Sequence, residues 1–181
     1  MEASKVLLNH FPKFEADPEH ALYLELIFLE KKSFDEAAQI GPMQRSRIGL
    51  RETELKHIRE ALNRPRKLWR EKKMKVCFWE FVDWYLSNSD TCYYCGSLQA
   101  DLTHLITSGE IQAKSGRGKT LELERKMPNE PYSNFQNLAL ACYWCNNAKT
   151  DSFSEAEFSE EGGIADQIGI VLRNRIAKSQ A

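Results

Sequence analysis

This sequence lacks an excess of either charge, an uninterrupted apolar run and, apart from two C-x-x-C pairs, an internal repeat. Among 181 residues, 25 Lys and Arg face 26 Asp and Glu, for a formal net charge of −1. That balance gives no overall attraction to nucleic acid or to an anionic membrane, so any basic surface must be local. The longest apolar-rich stretch, residues 21–29 (ALYLELIFL), is interrupted by Glu25 and is too short to span a membrane. No basic and apolar secretory opening begins the chain, which favours a soluble, cytoplasmic protein without membrane partners. With 42% hydrophobic and 28% charged residues, the chain can bury a core and is not of disordered composition.

What is present divides in character near residue 90. Residues 1–87 read as a helical N-terminal region for substrate or partner binding. Residues 18–32 combine good helix formers with the apolar density of a buried helix. Ser33 and Glu36 form a capping box before a short helix that stops at Gly41-Pro42. Ala37 and Gly41 have the spacing found inside a helix-turn-helix, but Pro42 argues against that motif. Thr53 precedes a segment with Leu55, Ile58 and Leu62 at helical spacing, and Pro65 is expected to break or restart the chain. Residues 74–86 then resume a helix, with Cys77 expected as a buried thiol. The densest basic run, residues 64–75, sets seven Lys and Arg against Glu71 alone. Its candidate nucleic-acid contacts are Arg64, Arg66, Lys67, Arg70, Lys72 and Lys73, and a solvated helix face is the competing reading.

From residue 91 glycines and polar turns become frequent. Residues 108–120 (SGEIQAKSGRGKT) read as a flexible hairpin or loop, and 121–124 (LELE) alternate as a short strand does. After Cys145 the chain turns helical, Ser154 and Glu157 form a capping box, and residues 164–178 make a final amphipathic helix. The fold class is therefore α+β: a helical region (1–87), a small zinc-stabilised domain (88–158) and a C-terminal helix (159–181).

Cys92-Tyr-Tyr-Cys95 and Cys142-Tyr-Trp-Cys145 carry the strongest single signal. Each C-x-x-C places two thiolates on one metal through a tight knuckle, and two pairs complete a tetrahedral set for one structural Zn²⁺. Gly96 suits the left-handed turn of the first knuckle. Four thiolates leave no open coordination position, so this zinc is not catalytic. Redox chemistry of the thioredoxin type uses one C-x-x-C at a helix start; that and an iron–sulfur cluster are the alternatives.

In order, the chain shows a C-x-x-C, a strand ending in Glu124, Asn137-Leu138, and then C-x-x-C-N-x-x-K at 142–149. This order, over residues 88–158, resembles zinc-supported HNH endonucleases. The resemblance implies a two-stranded hairpin followed by a helix (the ββα-metal fold) around a catalytic Mg²⁺ or Mn²⁺. It assigns Glu124 and Asn146 as ligands of that ion, Asn137 as the brace of the hairpin, and Lys149 as a residue able to reach a phosphate. A hard divalent ion of this kind takes few protein oxygens and keeps places for water and substrate.

One position departs from the pattern. Where the family keeps a histidine base the chain has Arg125, whose guanidinium stays protonated and cannot accept a proton. Arg125 can bind a phosphate or stabilise developing charge. The base then falls to a neighbour, with Tyr94 and His104 as candidates beside Tyr93 and Tyr132, or the metal alone activates water. A third possibility is that the domain does not cut. The resemblance implies an endonuclease acting on nucleic acid, DNA in the first place, in a bacterial restriction or phage-defence setting. A protein partner at the N-terminal helices and a homodimer are compatible with it. The alternative is a catalytically inactive zinc module that binds nucleic acid or a partner.

Overall fold

In a computed structural model the described residues are 3–11, 52–88 and 90–179. The expected helix over 18–32, the Ser33–Glu36 capping box and the Ala37–Gly41 spacing all lie outside them. The chain divides into two units, Met1–Leu86 and Ser87–Ala181.

In the first unit, α1 (Ala3–His10), α2 (Glu52–Glu71) and α3 (Phe78–Ser87) are the described elements. Ile58, Leu62, Pro65 and Leu68 recur every three or four residues along α2 and are all buried. Pro65 does not break this helix, contrary to the sequence expectation. An interior proline costs about 3 kcal/mol through its missing N–H and its ring clash. Here it lies on the buried stripe itself, and apolar packing on both sides holds the helix through it. Helix α2 ends in a Schellman arrangement: Met74 N–H donates to Trp69 C=O at 3.1 Å, and Lys73 N–H to Arg70 C=O at 3.1 Å. Lys73 takes the left-handed position usually given to glycine (φ 49°). His10 Nε2 meets Asp83 Oδ1 at 2.9 Å, joining α1 to α3. Cys77 corrects a second expectation, because it is exposed. It precedes the first residue of α3, whose buried face is taken by Phe78, Trp79, Phe81, Val82 and Tyr85.

The second unit is a two-stranded antiparallel sheet with helices packed around it. After the first cysteine knuckle come α4 (Gln99–Thr107), β1 (Glu122–Arg125), β2 (Leu138–Ala141), α5 (Tyr143–Lys149), α6 (Glu155–Phe158) and α7 (Ile164–Ser179). Helix α4 occupies a stretch that the sequence suggested was turns. Its N-cap, Leu98, offers no side-chain bond, so no capping signal announces it. The strands pair Glu122 with Ala141, Leu123 with Leu140, Glu124 with Ala139 and Arg125 with Leu138. Directly opposed residues share a face, so Glu122, Glu124, Ala139 and Ala141 line one side and Leu123 and Leu140 the other. Small alanines opposite both glutamates leave room for α5, which packs against β1. The capping box of Ser154 and Glu157 forms at α6 as expected. Helix α7 packs against α4 and α5, and its buried residues are Ala165, Gly169 and Leu172.

Mixed α+β architecture is thus present, with a β-hairpin followed directly by a helix. The sheet is reached from both ends by cysteines: Tyr93 N–H donates to Leu140 C=O at 2.9 Å, and Cys142 follows β2 to cap α5.

Candidate active site

The four cysteines of the two knuckles come together. Their Sγ atoms all lie within 4.8 Å of one another, all four residues are buried, and none is in a disulfide. Cys95 Sγ and Cys142 Sγ are 3.8 Å apart. Tetrahedral thiolates at about 2.3 Å from one zinc have sulfurs about 3.8 Å apart, far beyond the roughly 2.05 Å of a disulfide. Backbone amides support the sulfurs: Cys142 N–H donates to Cys92 Sγ at 3.2 Å and Cys145 N–H to Cys142 Sγ at 3.4 Å. Donors of this kind favour the thiolate form. Gly96 turns the first knuckle at φ 70°. The set can hold one zinc ion, and it fits no further ligand.

On the glutamate-bearing face of β1, residues two apart meet residues three apart on α5. Asn146 Nδ2 donates to Glu122 Oε2 at 2.6 Å, and Lys149 Nζ donates to Glu124 Oε1 at 3.0 Å. Glu122 and Glu124 are each 9% exposed, and Lys149 is completely buried. Lys149 also donates to the Arg125 carbonyl at 3.0 Å. The lysine that sequence assigned to an outside phosphate is therefore directed inward: its ammonium serves two buried acceptors. Burial raises the Glu124 carboxyl above its ordinary value, and Lys149 opposes that shift without cancelling it. Arg117, from the loop before β1, grips Glu122 through Nε at 2.8 Å and Nη2 at 2.5 Å, and its guanidinium lies 4.8 Å over the Tyr143 ring.

Arg125 leaves the end of β1 with its guanidinium 3.1 Å from Asp151 Oδ1 and 5.0 Å over the Tyr132 ring. Asn137, buried before β2, closes the loop between the strands. Its Oδ1 accepts from Met127 N–H at 2.7 Å and its Nδ2 donates to Met127 C=O at 3.1 Å. Both bonds run to the same residue, so Asn137 holds the loop to the end of β1. Tyr93, half exposed, accepts from Lys126 Nζ at 2.9 Å and donates to Glu155.

Two proposed bases are not arranged as bases. The Tyr94 hydroxyl is buried and has no hydrogen-bond partner among the described residues. Burial, reinforced by Glu124 and Glu155, raises its pKa, so the phenol stays neutral. His104 lies on α4 and is exposed. Among the described residues its ring bonds to none of Glu124, Arg125 or Asn146.

Sequence reasoning missed Glu122 and Arg117. The i, i+2 spacing of Glu122 and Glu124 on a strand was the available signal for the first. In the first unit, Arg66 is lowered by partial burial and then by the like charges of Arg70 and Arg59. Arg59, Arg66 and Arg70 therefore share one face of α2, while Arg64 is turned toward Tyr85. Lys67 pairs with Glu71 at 3.7 Å. An open groove of about 720 Å³ runs along α7, lined by Ile111, Trp144, Ile164, Ile168 and Val171, but none of its residues belongs to the carboxylate row.

No family model matches the chain, and no curated protein matches it. A solved structure of the rare-cutting HNH restriction endonuclease PacI is similar to this chain, at 26% identity over 64% of this chain and 75% of that one, with a TM-score of 0.43. A likeness of that degree leaves the chemistry of the site to its own residues.

Proposed function

We propose that this chain is a divalent-metal-dependent endonuclease of the HNH type that hydrolyses phosphodiester bonds of nucleic acid, DNA in the first place. A bacterial restriction or phage-defence setting is the context we assign to it. The observation that carries the reading is the placement of Glu124. It is a buried carboxylate at the end of a hairpin strand, roofed by the helix that bears Asn146, with a four-cysteine cluster at the start of that helix.

The donor set suits a hard cation. Glu124 Oε1 is engaged by Lys149, while among the described residues no donor reaches Glu124 Oε2 or Asn146 Oδ1. These two oxygens would hold Mg²⁺ or Mn²⁺, which when bound polarises a phosphate and acidifies a coordinated water. Arg125 cannot take a proton and serves the phosphate instead, held ready by Asp151 and Tyr132. Of the tyrosines, Tyr93 has its proton already directed to an acceptor, Glu155, and accepts a hydrogen bond from Lys126. The Arg59, Arg66 and Arg70 face of α2 supplies local positive charge for the backbone of the substrate. A protein partner at the N-terminal helices and a homodimer, which suits cutting of two strands, belong to the same reading.

A second reading, a silent binding module, draws on the same charges. Lys149 offsets Glu124 and Asp151 offsets Arg125, so the site is internally paired. Cleavage decides between them. Supercoiled plasmid, single-stranded DNA and RNA are incubated with wild type or Glu124→Ala, in Mg²⁺, Mn²⁺ or EDTA. Metal-dependent cutting that disappears in the variant supports the nuclease. Intact substrates with folded, zinc-loaded wild type would return the binding module.

A further inference from the structure

We infer that Glu122 is a positioning residue that fixes which way the Asn146 amide faces; the inference rests on the metal site just proposed. Glu122 sits two residues before Glu124, on the same face of β1, and both Arg117 and Asn146 donate to it. Arg117 Nε reaches Oε1 at 2.8 Å, Arg117 Nη2 reaches Oε2 at 2.5 Å, and Asn146 Nδ2 reaches Oε2 at 2.6 Å. With Arg117 donating to both of its oxygens, Glu122 is held as an acceptor only.

That acceptor-only character decides the amide. An asparagine side chain is nearly symmetric in shape, and a flip by half a turn exchanges its oxygen with its NH₂. Flipped, Asn146 would set its carbonyl oxygen against the Glu122 carboxylate, two acceptors in contact at a buried place. Unflipped, it donates to Glu122 and turns Oδ1 away. The flip that satisfies Glu122 is the one that frees the oxygen a cation requires. An unanchored amide would offer NH₂ part of the time, which repels a cation.

Arg117 completes the clamp from both sides. It grips β1 through Glu122 and rests 4.8 Å over the ring of Tyr143, the first residue of the helix that carries Asn146. Glu122 is not itself offered as a ligand, since both of its oxygens are occupied by donors.

The test is Mn²⁺ binding to the full-length, zinc-loaded protein, read from the free-ion electron paramagnetic resonance signal. It is joined by the side-chain amide resonances of Asn146. Wild type binds Mn²⁺ and Glu124→Ala does not. Glu122→Gln, nearly isosteric, weakens Mn²⁺ by about tenfold or more, the usual cost of losing a group that orients a ligand. It keeps its zinc, and the Asn146 amide protons, widely separated in wild type, move to the positions of a free side chain. Arg117→Met, at a partly exposed position, weakens Mn²⁺ several-fold and reports the same clamp should Glu122→Gln lose its fold. Wild-type affinity in both variants, with Glu124→Ala still unable to bind, would overturn the role of Glu122 and leave the nuclease reading standing. Wild type that binds no Mn²⁺ would overturn both.

Discussion

Lys149 Nζ lies 3.0 Å from Glu124 Oε1, with the lysine side chain wholly closed to solvent. Strand and helix meet in a buried ion pair at the position where the site would take its metal. Removing one partner of such a pair leaves an uncompensated charge, which costs about 3–5 kcal/mol. Lys149→Met is therefore expected to lose that much in urea unfolding. Replacing both, as Lys149→Met with Glu124→Leu, recovers most of it. A loss below about 1 kcal/mol, the size of a surface pair, would mean that the two charges are solvated in solution.

Zinc content and thiol reactivity test the cysteine cluster together. The chain has five cysteines, of which Cys77 is exposed and the other four are buried around one another. Native protein is expected to carry one zinc and to show one fast thiol towards a disulfide reagent. The other four react only after a chelator has removed the metal, and the signal of folded aromatics in the second unit falls with them. Five fast thiols in protein holding stoichiometric zinc would sink this assignment.

Side-chain chemistry with a fixed spacing was legible in the sequence, and geometry set by packing was not. The paired C-x-x-C motifs and the Ser154–Glu157 cap follow from local rules, whereas the hairpin closed near Asn137 was implied only by the family resemblance. Local rules failed where tertiary contacts decide. Pro65 stays helical because it lies on the buried stripe of α2. The turn after α2 carries Lys73 at φ 49° where glycine would have marked it. Lys149 was legible as a cation at a particular place on a helix, but whether it faces out or in depends on the register of β1 against α5. The same register pairs Asn146 with Glu122 and leaves Glu124 to Lys149.

Tyr94 gives a prediction in alkali. Its buried hydroxyl has no partner among the described residues, and burial raises its pKa above the ordinary value of 10.0. The sign follows directly. Above about pH 10 the unfolded chain ionises this phenol while the folded chain cannot, so stability is present below that pH and is lost as pH rises beyond it. Tyr94→Phe is expected to unfold at higher pH than wild type, and at neutral pH to match or exceed it by about 1 kcal/mol. Tyrosinate absorbance followed against circular dichroism measures both. The variant also keeps cleavage, since a phenol held neutral is not the base; loss of cutting in a folded Tyr94→Phe protein would restore Tyr94 as a candidate.

Gly169 gives a prediction whose sign opposes helix propensity. In an exposed helix interior, glycine to alanine stabilises by about 1 kcal/mol. Gly169 lies in the middle of α7, where an added Cβ would sit 2.9 Å from the Cys95 carbonyl oxygen and 3.4 Å from Cys95 Cβ. Arg173, one turn on, donates to that same carbonyl at 3.4 Å. Helix α7 thus reaches the backbone of the first zinc knuckle at the point where a side chain is missing. Gly169→Ala must push the helix off the knuckle, since the obstacle is backbone and cannot rotate away. The variant is expected to be less stable than wild type by about 1–3 kcal/mol and to release zinc faster to a competing chelator. Stabilisation by the alanine, with unchanged zinc release, would show that α7 does not press on the knuckle in solution.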